Sequence, residues 1–156
     1  MGSLMDLVAG DARDVVLALS IDDVAAFDDR DRFVAHLPLG GGLDPTWLDL
    51  FSEAVRSVTR SDAPADFLDA RTEVDGTADS LERIVDRVDV DWVEAVAQVP
   101  DALIDALAGR WIGLLEEELG LLPREEKPWI RDLTGRIVEF ARQSDGARDV
   151  VFAWTI

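Results

Sequence analysis

DVVFAWTI, residues 149–156, decides between two fold classes for this chain. Its large residues Val150, Phe152, Trp154 and Ile156 alternate with Val151, Ala153 and Thr155. A period of two residues is typical of a β-strand, and a strand needs a partner to complete its hydrogen-bond ladder. The segment therefore favours an α+β fold over an all-α fold with an irregular tail, which is the alternative. The candidate partners are residues 33–39, which also alternate, and residues 15–20, which could equally be helical.

The rest of the chain is dominated by helical periodicity. Apolar residues recur every three to four positions in segments that begin near a capping residue or a proline and end near a glycine. These stripes predict helices at residues 45–60, from 79 or 80 to 88, from 89 or 91 through 96, at 100–119 and at 128–142. We therefore predict a single, mainly helical α+β domain over 1–156, centred on the long helix 100–119. The C-terminal strand is expected in a small sheet or hairpin.

Composition supports a folded chain and limits its partners. The 156 residues are 48% apolar and include five tryptophans, a composition that argues against intrinsic disorder. The 33 acidic residues outnumber the 15 basic ones, so the net charge is -18 and the electrostatic field repels nucleic acids and anionic membranes. We expect no direct nucleic-acid binding and no membrane association. The acidic bias also fits adaptation to high salt, and a GC-rich genome would explain 14 arginines beside one lysine.

Several kinds of site are excluded by the residues that the chain lacks. It has no cysteine, so a disulfide, a thiol nucleophile and a cysteine-ligated metal are all excluded. A single histidine excludes His clusters that bind metals. The sequence contains no recognisable signal peptide and no apolar run of about 18 residues. We therefore expect a cytoplasmic protein, and we predict no cofactor.

The stretch HLPLGGGLDPTW, residues 36–47, contains the one histidine and three consecutive glycines. Its glycine spacing fits neither a Walker loop nor a dinucleotide fingerprint. Asp44 is expected to accept the first amides of the following helix, where a phosphate would otherwise bind. The segment therefore predicts a turn. His36 stays a weak candidate for a general base, and the alternation of residues 33–39 places it on the face opposite Phe33, Ala35 and Leu37.

Carboxylates are the remaining candidate site residues. Two groups could converge on Mg²⁺ or Ca²⁺, which prefer oxygen ligands. Glu116, Glu117 and Glu118 are neighbours on a helix and therefore point in different directions, as expected of a solvated face. Trp129 lies off the main apolar stripe of its helix and is the tryptophan expected to be exposed. The weak metal-site candidates are Asp28, Asp29 and Asp31 in one group, and Asp86, Asp89 and Asp91 in the other.

No residue pattern identifies a catalytic centre, and we therefore expect an interaction protein rather than an enzyme. The first hypothesis is a non-catalytic acidic protein that binds a basic partner, in the manner of an inhibitor, an immunity protein or a nucleic-acid mimic. The second is a carboxylate-dependent enzyme or binding protein that uses Mg²⁺ or Ca²⁺. The third is a domain that forms homo-oligomers through an open strand edge near the tail.

Overall fold

The computed structural model describes residues 4–40, 43–74 and 83–155. This part of the chain forms five helices and five strands, together with two 3₁₀ segments, at Val24–Asp28 and Asp101–Leu103. The strands are β1 Leu4–Gly10, β2 Ala35–Gly40, β3 Arg71–Glu73, β4 Arg83–Val88 and β5 Asp149–Thr155. The helices are α1 Ala12–Ser20, α2 Thr46–Thr59, α3 Val90–Ala97, α4 Ile104–Leu119 and α5 Glu126–Gln143.

The prediction of a short C-terminal strand in a small sheet or hairpin is wrong. The strands form a five-stranded antiparallel sheet in the order β2-β1-β5-β4-β3, and the fold is 51% helix and 20% strand. β5 lies at the centre of this sheet, where it pairs with β1 on one side and β4 on the other. The structure is therefore α+β with a substantial sheet, and the all-α alternative is wrong as well.

The predicted partners of β5 are also wrong. Residues 35–40 do form a strand, but it pairs with β1, and residues 15–20 belong to helix α1. The helix predicted from residue 79 or 80 to 88 is wrong over residues 83–88, which form strand β4, and residues 79–82 lie outside the described residues. A short apolar run satisfies both periods, and here the free edge of β5 selects the strand.

The other four predicted helices are confirmed, with small shifts at their ends. They correspond to α2, α3, α4 and α5, and α5 begins two residues before Pro128. The Asp44 carboxylate accepts a hydrogen bond of 2.9 Å from the Thr46 amide, as the prediction of a self-capped helix start requires. Gly40 begins the turn with φ of +80°, while Gly41 and Gly42 lie outside the described residues.

The sheet is covered on both faces. On the helical face, the face that carries Phe152, the sheet packs against α2, α3, α4 and α5. On the α1 face, the face that carries Val151, it packs against α1 and the 3₁₀ segment Val24–Asp28. The strands β1, β4 and β5 therefore contribute residues to two separate cores. Within the described residues, no helix combines the length and the apolar character needed to cross a bilayer.

Candidate functional site

His36 lies between two carboxylates on the α1 face of the sheet. Its Nε2 is 2.7 Å from Asp6 Oδ1 on β1, and its Nδ1 is 2.8 Å from Asp28 Oδ1 at the end of the 3₁₀ segment. The ring also packs edge-on against Phe27, with centroids 5.4 Å apart. Only 8% of the His36 side chain is exposed, so the imidazole is largely shielded from water.

The two acceptors determine the protonation state of this histidine. Each ring nitrogen must carry a proton to donate to a carboxylate, so the arrangement requires the imidazolium. Burial lowers the pKa of His36, but the hydrogen bonds with Asp6 and Asp28 and their negative charges outweigh it, and the net pKa is raised above 6.5. The hydrogen bond with His36 in turn lowers the pKa of Asp28. Both ring nitrogens are engaged by carboxylates of the chain, so the geometry is that of a structural clamp.

The expectation that His36 and Phe33 lie on opposite faces is wrong. Phe33 belongs to the same core as Val151 and packs edge-on against Phe27, 5.5 Å away. The reason is that β2 begins only at Ala35, so Phe33 precedes the strand. The strand alternation therefore does not extend back to Phe33.

The aspartates predicted as metal ligands do not converge. Of the first group, only Asp28 contacts His36, while Asp29 accepts a hydrogen bond from the Asp31 amide within a turn. Of the second group, Asp86 lies on β4, whereas Asp89 and Asp91 are exposed at the start of α3. Across 4–40, 43–74 and 83–155, no three histidine or acidic side chains are grouped so that they could hold a metal ion.

Asp86 instead faces an arginine that the sequence did not single out. The Arg71 guanidinium lies over the rings of Phe67 and Phe152, 5.0 and 4.8 Å from their centroids, and its Nη1 is 3.7 Å from Asp86 Oδ2. Burial lowers the pKa of Arg71 and raises that of Asp86, while each partner's charge opposes the shift. Within the described residues, Arg71 Nε and the Trp154 indole nitrogen have no hydrogen-bond partner. Both side chains of the pair are largely buried, with 10% of Arg71 and 15% of Asp86 exposed.

Three exposed apolar side chains lie at the connection between α4 and α5, and we call them the apolar corner. They are Leu119, Leu121 and Trp129, which are 55%, 90% and 37% exposed. Glu116 connects α4 to the following segment and to α5. Its Oε2 accepts a hydrogen bond of 3.2 Å from the Leu122 amide and lies 3.7 Å from Lys127 Nζ. The expectation that Trp129 is exposed is confirmed.

Carboxylates surround the apolar corner. Between residues 116 and 127 there are five glutamates and two cations, and Lys127 is already paired with Glu116. Glu117, Glu118 and Glu125 are exposed and form no ion pair with another described residue. The corner therefore combines exposed apolar surface with uncompensated negative charge.

Comparisons with protein-family models, curated proteins and solved structures found no match for this chain.

Three residues that define these sites were missed by the sequence reasoning. Asp6 is the one acidic residue in the apolar run LMDLVAG, and Arg71 comes shortly after the apolar pair Phe67 and Leu68. Leu121 lies beyond Gly120, where the helical stripe has ended. Asp6 and Arg71 differ in polarity from the apolar residues near them, and Leu121 lies outside the stripe. Hydrophobic periodicity does not register such single differences.

Proposed function

We propose that the protein is a non-catalytic interaction protein that binds a basic partner, in the manner of an inhibitor, an immunity protein or a nucleic-acid mimic. The observation that carries the proposal is the apolar corner with its surrounding carboxylates. An exposed Trp is a common anchor residue at interfaces, the two exposed Leu side chains add apolar contact, and the carboxylates attract a positively charged surface. The net charge of -18 adds long-range steering toward such a surface.

The class of partner follows from the charge around the corner. A second copy of the chain would bring another set of uncompensated carboxylates to the interface, and that repulsion opposes association at low salt. A partner with an apolar pocket bordered by lysines or arginines gains from both features. The third hypothesis also loses its basis in the tail, because β5 is paired on both sides and has no open edge.

The test compares two charge-reversed baits at low and high salt. The chain is tagged and used to capture proteins at about 50 mM NaCl, followed by elution at about 500 mM, where the Debye length is only a few ångströms. We expect basic proteins in the eluate of the natural chain and their loss with Glu117→Lys/Glu118→Lys. The matched control is Asp62→Lys/Asp69→Lys, which makes the same change in net charge at exposed positions in the segment between α2 and β3.

Two results would contradict the proposal. Equal loss of capture with the corner variant and with the control would mean that net charge alone binds these proteins. A dimer seen by sedimentation velocity, and abolished by Leu121→Ser, would assign the corner to a second copy. Because Leu121 is almost fully exposed, Leu121→Ser is expected to leave the fold intact.

A further inference from the structure

A cleft of about 880 Å³ opens on another part of the molecule, between α3, the C-terminal end of α5 and the adjoining ends of β4 and β5. Its volume falls within the range of ligand sites in proteins, roughly 300–1,000 Å³. The apolar part of its lining includes Val88, Val93 and Val150, each largely buried in the helical-face core. The cleft therefore has an apolar floor at the ends of β4 and β5.

The three arginines of the cleft are engaged within the chain. Arg142 donates to the carbonyl oxygens of Ala97 and Val99 and to Asp101, and so ties the end of α5 to the segment after α3. Arg87 Nε lies 3.4 Å from Asp149, and Arg148 Nη1 lies 3.7 Å from Asp11. Each of the three arginines thus has a carboxylate neighbour within the chain.

Three carboxylates of the cleft, unlike its arginines, have no ion-pair partner among the described residues. Asp89, Glu94 and Asp145 are exposed, and none forms an ion pair or accepts a side-chain hydrogen bond within the described part of the chain. Val90, 64% exposed, adds apolar surface beside Asp89. The cleft thus offers an apolar floor inside a rim whose uncompensated charge is negative.

We infer that this cleft binds an extended basic segment of a partner protein. One aliphatic or aromatic side chain of the segment lies on the valine floor, and lysines or arginines on either side of it face Asp89, Glu94 and Asp145. The inference rests on the proposed function for the class of partner. It adds a second binding surface, separate from the apolar corner. It also specifies the partner's sequence as an apolar residue flanked by basic residues.

The experiment uses short peptides of known composition as probes. The ¹⁵N-labelled chain is titrated with blocked Lys-Lys-Leu-Lys-Lys, with Lys-Lys-Ser-Lys-Lys and with Glu-Glu-Leu-Glu-Glu, and amide shifts are followed by NMR. We expect shifts concentrated at Val93, Ala147 and Val150 with the first peptide. Replacing leucine with serine removes the buried apolar side chain and should weaken binding about tenfold. The acidic peptide should not bind.

Charge-neutral variants test the rim. Glu94→Gln/Asp145→Asn should weaken binding of the leucine peptide about fivefold, the size expected for two exposed ion pairs. The matched control is Asp62→Asn/Asp69→Asn, which removes the same charge at exposed positions outside the cleft and should change the affinity less than twofold. All four substituted side chains are exposed, so folding should be unaffected.

The inference is overturned if the shifts are spread over the whole surface, if the serine peptide binds equally well, if the acidic peptide binds in the cleft, or if the rim variant behaves like the control. Any of these results would leave the corner proposal standing, since lysate capture that depends on Glu117 and Glu118 does not involve the cleft. Conversely, normal peptide binding by Glu117→Lys/Glu118→Lys would show that the cleft acts independently of the corner.

Discussion

At the residue scale, the clamp formed by Asp6, His36 and Asp28 predicts a specific pH dependence of stability. The pKa of His36 is raised in the folded state, so the clamp stabilises fully below the unfolded value of about 6.5. That stabilisation is lost as the pH rises through the folded pKa, because one ring nitrogen can then no longer donate. We expect a loss of about 1 kcal/mol in the free energy of unfolding, a small value because the Asp28 carboxylate is 70% exposed.

Urea denaturation at pH 6 and at pH 9 measures this loss. The free energy of unfolding of the natural chain is compared with that of His36→Gln at both pH values. The glutamine side chain does not titrate, so the difference in unfolding free energy between the two proteins should shrink at the higher pH. Parallel pH profiles for the natural chain and the variant would contradict the imidazolium assignment. An NMR titration of the ring nitrogens should show both protonated at pH 6.

The sequence could predict only part of these sites. The single histidine, the exposure of Trp129 and the helix-capping role of Asp44 are local properties, and each was accessible from neighbouring residues. The clamp was not, because Asp6 and His36 are thirty positions apart and meet only through the pairing of β1 with β2. The contact between Arg71 and Asp86 likewise depends on the β3–β4 register, which no local pattern specifies.

At the element scale, the strand β5 was predicted but its place in the sheet was not. Its alternating residues are apolar on both faces, as Phe152 and Val151 show, and this is the pattern of a strand covered on both sides. β1 carries a similar run, LMDLVAG, at the other end of the chain. Helix periodicity could be read over long segments, whereas the short strands needed knowledge of their partners.

The end of β1 predicts a steric effect at Gly10. A Cβ atom added there would lie 2.7 Å from Cδ1 of Phe33, a fully buried ring held edge-on by Phe27. Gly10→Ala must therefore displace the ring or the strand, and we expect a loss of about 1–3 kcal/mol in the free energy of unfolding. Urea denaturation gives the value, and the near-ultraviolet circular dichroism of the aromatic cluster should change with it.

Gly109→Ala, in the exposed middle of α4, is the matched control. A Cβ atom there meets no atom within 4 Å, and alanine is favoured over glycine in a helix by roughly 1 kcal/mol. Glycine-to-alanine substitution should thus raise the free energy of unfolding at position 109 and lower it at position 10. If both variants were more stable than the natural chain, the packing between Gly10 and Phe33 would be looser than in the structure.

At the scale of the whole molecule, the arrangement of charge links the clamp, the corner and the cleft. Within the described residues, nine of the chain's fifteen cations lie within 4.0 Å of a carboxylate of the same chain. With 33 acidic residues in all, most of the cationic charge is engaged internally while an excess of carboxylates faces solvent. The exposed carboxylates of the corner and the cleft are therefore part of a negative surface, and the proposed binding of a basic partner rests on that surface.

This charge excess predicts that salt stabilises the fold. Screening weakens repulsion among the exposed carboxylates more than it weakens the shorter ion pairs, so raising NaCl from about 0.02 to 0.3 M should raise the melting temperature by a few degrees. The rise should level off above that range and be equal for NaCl and KCl, since both act through ionic strength, and it should be smaller for Asp62→Asn/Asp69→Asn. A flat or falling melting temperature would mean that the internal ion pairs outweigh the repulsion. In that case the excess charge would not destabilise the free protein. A basic partner that neutralised this charge would then give no gain in stability.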